Sequence, residues 1–300
     1  MRESNPDYFC PMQAIGFYLL LPLLYFISIL PFPALYFVSD VIYFFIYPVS
    51  GYRKKVVFQN LKNSFPEKTE KEIEAVAKQY YHHLSDLIVE SLKALTITKE
   101  EIKRRCRFVP GAMEVFNRFY QENRNVIVMM GHLGNWEWAG LSMSSQSPYI
   151  LQVLYRPLSN KYFDRLFIQL RSKFGAKPVA MEETFRELVK KSNPLSCTVF
   201  IADQTPPADA ALWIEFLHQQ TPVFRGAARI AKRLNYPVLY AALKKVKQGY
   251  YDIYIEPLSE NSASDSEDEI ILHFNARLEK NINEQPFNWL WSHRRWKHKK

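Results

Sequence analysis

Residues Ala14 to Leu30 read AIGFYLLLPLLYFISIL, 17 residues without a charge. As a helix this run spans roughly 25 Å, slightly short of a hydrocarbon core of about 30 Å. Pro22 lies inside it and could kink it. Pro31-Phe32-Pro33 interrupts it, and a second apolar run, Ala34 to Val49, follows, broken by Ser39-Asp40. Two arrangements fit. One tilted or kinked helix could run from Ala14 to about Val38. Alternatively, two short segments could form a hairpin or lie partly in the interface. A cleaved signal peptide fits poorly, because no basic stretch adjoins the apolar core and no A-x-A site follows it. Cys10 precedes the run, so it is not a lipoprotein cysteine. Arg53-Lys54-Lys55 come directly after, and the positive-inside rule then puts the rest of the chain on the cytoplasmic side. The expected organisation is a membrane anchor over 1–52 and a cytoplasmic, membrane-associated α/β domain over 53–300. The alternative is a buried core helix of a soluble protein.

Charge distribution agrees with an anchored chain. The net charge is +9, yet the first fifty residues contain no Lys and sum to −2. An apolar head on a basic body points to an anionic membrane surface as partner rather than to nucleic acid. With 48% hydrophobic residues the chain can bury a sizeable core. Cys10, Cys106 and Cys197 are odd in number and far apart, which excludes a disulfide scaffold; each reads as a small apolar residue. No Cys/His spacing suggests zinc.

Thr69-Glu70-Lys71-Glu72 is a capping box, and Ile73, Val76, Ala77, Tyr80, Leu84, Leu87, Ile88 and Leu92 follow mostly three and four apart. That predicts one long amphipathic helix ending near Leu95. His82 and His83 fall in it, about 100° apart around the axis, and are expected at the surface or its boundary. Beyond residue 107, strands are expected at Asn125–Met130, Ile150–Tyr155, Cys197–Asp203, Pro237–Leu243 and Tyr251–Glu256. Helices are expected at about 135–145, 160–174, 182–191 and 225–234. The alternation predicts an α/β domain with a largely parallel or mixed central sheet flanked by helices. Residues 259–269, SENSASDSEDE, read as an acidic surface loop or helix lead-in, and a last helix should cover Glu267–Ile282. The tail from Phe287 to Lys300 mixes Trp with Lys and Arg, and reads as a contact with the membrane surface or with anionic headgroups.

The first strand runs into Gly131-His132-Leu133-Gly134-Asn135-Trp136-Glu137. Polar residues at the carboxyl end of an α/β strand are where such sheets place their sites. Asn135 suits a helix N-cap, so Glu137 would fall in the first helical turn, where its carboxylate could return to the His132 imidazole. A carboxylate on one ring nitrogen fixes the tautomer and raises the basicity of the other. No nucleophile stands beside this pair. Ser142, Ser144 and Ser145 lie too far along the helix, and there is no G-x-S-x-G. The pair therefore suits direct attack of an acceptor hydroxyl on an activated carbonyl. The glycines match neither a Walker A loop nor a dinucleotide fingerprint, and no metal or organic cofactor is required.

From the anchor to the final HRRWK, the chain resembles the lipid A biosynthesis lauroyl/myristoyl acyltransferases, the late acyltransferases of Gram-negative bacteria. Gly51-Tyr52-Arg53-Lys54-Lys55-Val56-Val57 with Asn60-Leu61-Lys62-Asn63-Ser64-Phe65-Pro66 is similar to that family's YRxxVVxxNLxxSFP segment. His132 to Glu137 matches H-x4-[D/E], Tyr155-Arg156-Pro157 resembles YRP, Ala202-Asp203-Gln204 resembles the DQ after a later strand, and Phe287 to Lys297 resembles the terminal QWxWxHRRxK. One departure is local: the family usually has FFG near Glu215-Phe216-Leu217, where this chain continues Leu217-His218-Gln219. The resemblance implies a glycerolipid-acyltransferase-like α/β fold, an apolar acyl groove and a place at the inner membrane. It implies acyl transfer from an acyl carrier protein thioester to a 3-hydroxyacyl hydroxyl of a lipid A precursor. His132 would be the general base and Glu137 its orienting partner. Arg156, Asp203 and Gln204 would help bind substrate or organise the site, and Arg294, Arg295 and Lys297 would contact lipid phosphates or the acidic carrier protein. The competing readings are acylation of another membrane lipid, such as a lysophospholipid or aminolipid, and a non-catalytic lipid or carrier-protein binder.

Overall fold

A computed structural model describes residues 11–190, 194–207, 209 and 211–299. Cys10 and the charges of the extreme N-terminus lie outside them, as does residue 191, the expected end of one helix.

The apolar head forms two helices, α1 (Pro11–Ile29) and α2 (Phe32–Phe44), separated at Leu30-Pro31, and a π-helical turn, Phe45–Val49, prolongs α2. Pro31 lies extended just before α2 (φ −62°, ψ 152°), with Pro33 in its first turn, so the break falls where proline ends one helix and opens the next. The apolar head is thus two helices and not one continuous helix from Ala14 to about Val38. Phe32–Val49 is 18 residues and apolar enough to cross a bilayer; the apolar stretch within α1, Gln13–Ile29, is shorter. Leu19, Leu23, Phe26, Phe37, Phe44 and Val49 leave large apolar surface uncovered on the two helices.

Next come α3 (Lys54–Ser64), α4 (Glu70–Lys93) and α5 (Lys99–Arg105). The Thr69 capping box forms as expected, with the Thr69 N–H donating to Glu72 Oε2 at 2.8 Å. His83 is a correction: it is 1% exposed, and burial, then Lys245, holds its imidazole well below the usual histidine range. Only its neighbour His82 is exposed, stacked on Tyr43.

The sheet has seven strands: β1 (Cys106–Phe108), β2 (Val126–Met130), β3 (Ile150–Tyr155), β4 (Lys177–Ala180), β5 (Ser196–Ile201), β8 (Val238–Lys247) and β9 (Tyr250–Ser259). Their order is β1-β9-β8-β2-β5-β3-β4, parallel throughout except for the antiparallel β8–β9 pair. The sheet is mixed and helix-flanked, as expected. Ile127, Met129, Tyr240 and Ala242 face one core, shared with α10 (Gly226–Leu234), α11 (Glu267–Glu284) and the C-terminal tail. Val128, Met130, Leu239 and Ala241 face the other, under α6 (Ala112–Gln121), α7 (Trp136–Gln146) and α8 (Lys161–Arg171). Burial on both faces explains why β2 reads as an unbroken apolar run and β5 as a nearly apolar one. Helix α9 (Thr184–Val189) precedes β5, and Ser266 opens α11 with a second capping box.

The hairpin of β6 (Leu212–Phe216) and β7 (Gln219–Val223) was not legible as strands. Its two-residue turn is Leu217-His218, both left-handed at φ +50° and +60°. A mirror-image turn of this kind normally carries Asn or Gly, because a Cβ is strained there. Leu217 offsets the strain by burial to 1% exposure, whereas His218 is exposed. His218→Gly should therefore stabilise the protein by about 0.5–1 kcal/mol, and Leu217→Gly should destabilise it despite its similar φ. Urea midpoints of the two variants check this.

Candidate active site

Strands β2 and β5 are parallel neighbours, so their carboxyl ends lie side by side. The turn after β2 carries His132 and the loop after β5 carries Asp203. Asp203 is 3% exposed, and its two oxygens are fully engaged. Oδ1 lies 2.6 Å from His132 Nδ1. Oδ2 accepts the His132 backbone N–H and the Trp289 indole N–H, each at 2.7 Å. Burial alone would push this carboxyl up, but His132 and the two N–H donors outweigh it and hold it at about 2. The carboxylate thus needs its hydrogen on Nδ1, which leaves Nε2 as the basic nitrogen. Nε2 faces the Gln204 amide nitrogen at 3.2 Å. The imidazole edge packs against Trp136, with ring centres 4.9 Å apart.

Two glycines make the turn possible. A Cβ on Gly131 would come within 2.6 Å of Leu278 and 3.1 Å of Asp203 Oδ2, so a larger residue would push Leu278 aside and crowd the carboxylate. Gly134 has φ +55°, and a Cβ there would meet Leu243 at 3.0 Å. Asn135 caps α7 as expected, its side-chain oxygen accepting the Trp138 N–H at 2.9 Å.

Glu137 lies in the first turn of α7, as anticipated, but its carboxylate does not reach the ring. It forms a two-point pair with Arg171 of α8, with Oε1 at 2.6 Å from Nη2 and Oε2 at 3.1 Å from Nε. The sequence expectation of a His132–Glu137 contact is corrected here: Asp203 occupies Nδ1, and a guanidinium fork holds Glu137. Both carboxylates nevertheless belong to one neighbourhood. His132, Glu137, Arg156, Arg171 and Gln204 line a cavity of about 360 Å³ whose remaining wall is largely apolar, including Leu141, Met143, Val153 and Phe167. Arg156 stands exposed at its rim.

The C-terminal tail departs most from expectation. Its tryptophans do not lie on an apolar outer surface. Trp289 and Trp291 are 3% and 0% exposed, and Trp296 donates to Thr221 Oγ1. The segment straps the turn that follows the central strand β2: Gly134 N–H donates to Asn288 O, Leu133 bridges Trp289, and Asn60 donates to the carbonyls of Trp291 and His293. Arg295 is likewise corrected from a surface cation to a side chain 1% exposed that donates to Pro222 O at 2.7 Å, with burial pushing its guanidinium down to about 10. Arg294 and Lys297 are exposed, beside a second cavity with Trp296 and Gln219. Trp289 and Arg171 are the site residues that sequence reasoning missed. Trp289 had been assigned to the membrane, and Arg171 carries no motif. Among the described residues no group of three or more His, Cys, Asp or Glu side chains could hold a metal ion.

A histidine held by a carboxylate beside a mostly apolar cavity, at the strand ends of a mixed α/β sheet, fits a group-transfer enzyme with an apolar substrate. The family model for bacterial lipid A biosynthesis acyltransferases matches residues 3–298, and the chain belongs to that family; it is an acyltransferase. It is 23% identical over 271 residues to the lipid A biosynthesis palmitoleoyltransferase of Escherichia coli K12, covering 89% of this chain and 86% of that one. The lipid A biosynthesis acyltransferase of Shigella flexneri matches to the same extent. That of Haemophilus influenzae is 20% identical over 234 residues, covering 77% of this chain and 72% of its own.

Proposed function

We propose that the protein transfers a fatty acyl chain from an acyl carrier protein thioester to a hydroxyl of a lipid A precursor, at the cytoplasmic face of the inner membrane. The observation that carries this reading is His132 Nε2, left basic by Asp203 on Nδ1 and opening onto the cavity. The acceptor hydroxyl takes the place beside Nε2 and gives it its proton as the oxygen attacks the thioester carbonyl. The tetrahedral intermediate then expels the thiolate, and the imidazolium returns the proton to sulfur. Asp203 stabilises that imidazolium without accepting the proton. Arg171 and Arg156 supply positive charge on the cavity side where the oxyanion forms. The apolar wall takes the acyl chain, each buried methylene contributing about 0.8 kcal/mol. The apolar helices hold the enzyme where such a lipid resides, and exposed Arg294 and Lys297 face anionic groups on the acceptor or the carrier protein.

The deciding experiment is mass spectrometry of membrane lipids from cells lacking the gene, with and without complementation. Lipid A one acyl chain lighter in the deletion, and restored by the wild-type gene, is the expected result. Unchanged lipid A with another lipid altered moves the acceptor to that lipid. Unchanged lipids throughout, in a strain without a second such gene, overturn the assignment.

Glu137 acts in this scheme through Arg171. Glu137→Gln and Arg171→Ala should each lower kcat/KM by about 10²-fold, and the double variant should be little worse than either single one. Additive losses would show the two to be independent.

A further inference from the structure

Behind the site lies a buried carboxyl that the transfer chemistry does not use. Glu90 of α4 is 0% exposed. Its Oε2 accepts hydrogen bonds from Asn135 Nδ2 at 2.7 Å and from the Tyr251 hydroxyl at 2.8 Å. Its Oε1 accepts the Tyr36 hydroxyl at 2.9 Å, and its backbone carbonyl accepts the Trp138 indole at 2.9 Å. All of these donors are neutral; the nearby Lys245 ammonium is given to Asp86 instead, at 2.8 Å. Burial pushes the Glu90 carboxyl up to about 7, with Asp86 adding to the rise and Lys245 opposing it. A buried acid without a contacting cation is costly, and an apolar residue would fill the space at lower cost.

The donors explain what such a group does. Asn135 is the N-cap of α7 and stands three residues after His132, with Gly134 at positive φ between them. Tyr36 belongs to α2, which together with the π-helical turn after it is long and apolar enough to span a bilayer. One turn back on α4, Asp86 accepts Ser39 Oγ of the same apolar helix at 2.8 Å, so α2 is registered on α4 at two points. The apolar helix and the active-site turn thus grip opposite oxygens of one carboxyl group.

We propose that Glu90 is a positioning residue for acyl transfer, coupling the seating of α2 on α4 to the conformation of the His132 turn through Tyr36 and Asn135. This rests on the acyltransfer reading for its effect on turnover, but not for its effect on the turn. With α2 displaced, Asn135 loses the support of its cap, and the segment 131–138 opens more often.

The test is hydrogen exchange by mass spectrometry on the full chain in phospholipid vesicles, together with kcat and KM. Tyr36→Phe removes one hydroxyl and retains the ring, while Glu90→Ala removes the carboxyl. Exchange across 131–138 should rise about tenfold in Tyr36→Phe and further in Glu90→Ala, with kcat falling in parallel and KM unchanged. Glu90→Gln keeps an oxygen for Asn135 and an amide for the Tyr36 oxygen, and should restore both readouts to within a few-fold of wild type. Unchanged exchange at 131–138 in folded Tyr36→Phe overturns the proposal. So does an equal rise in exchange along the whole chain, which marks a general loss of stability. If the segment responds as expected but the wild type transfers no acyl chain, only the functional assignment fails.

Discussion

His132→Ala should abolish acyl transfer, lowering kcat by about 10³-fold or more while leaving donor and acceptor KM nearly unchanged. The size of the effect follows from the absence, among the described residues, of a second histidine free to act at the same place. The other histidine nearby, His293, has its Nε2 3.4 Å from the Thr205 backbone N–H, and burial holds its imidazole at about 4. The fold should survive, because the His132 side chain packs against Trp136 at the cavity wall rather than in either core. Single-turnover kinetics with purified protein, alongside a melting curve, checks both halves. A variant that retains a tenth of wild-type kcat would show that His132 is not the base.

The second large effect belongs to Asp203. In Asp203→Asn the side chain keeps its shape, but one oxygen becomes an NH₂. The oxygen stays where the His132 and Trp289 N–H groups point, so the NH₂ faces Nδ1. Nδ1 must then be the acceptor, the hydrogen moves to Nε2, and the base is lost without any change of position. A tautomer inversion of this type costs about 10³–10⁴ in kcat. Asp203 also links stability to acid. Its folded pKa of about 2 is below its ordinary value, so its contribution is present in full above about pH 4 and is lost as pH falls from there toward 2. The shift corresponds to roughly 2 kcal/mol. Denaturant titrations at pH 6 and pH 3 should show wild type losing about half of that increment, about 1 kcal/mol, and Asp203→Asn losing almost none of it.

The sequence shows why His132 was found and its partner misjudged. A glycine-flanked histidine after an unbroken apolar strand is visible one-dimensionally, and the capping boxes at Thr69 and Ser266 are local as well. Glu137 is five residues from His132 and looked like the natural carboxylate, whereas Asp203 is 71 residues away. Only the adjacency of β2 and β5 brings it to the ring, and strand order is not written in either strand. Tryptophan composition misled for another reason. The same aromatic, amphipathic side chain suits a membrane interface and a buried hydrogen-bonded core, and only the neighbours of Trp289 and Trp291 separate the two. The β6–β7 turn was hidden because Leu217-His218 carries none of the usual turn residues, and β1 and β4 are short edge strands with little periodicity to detect.

The strap makes the site a late-closing one. The indole that completes the grip on Asp203 belongs to residue 289, and the backbone that braces Gly134 belongs to residue 288. His132 and Asp203 are 71 residues apart, and the indole lies 86 residues beyond Asp203. On a chain made from its N-terminal side, the pair can therefore meet before its braces exist. The site is finished only once residues 288 and 289 have been added and folded over it.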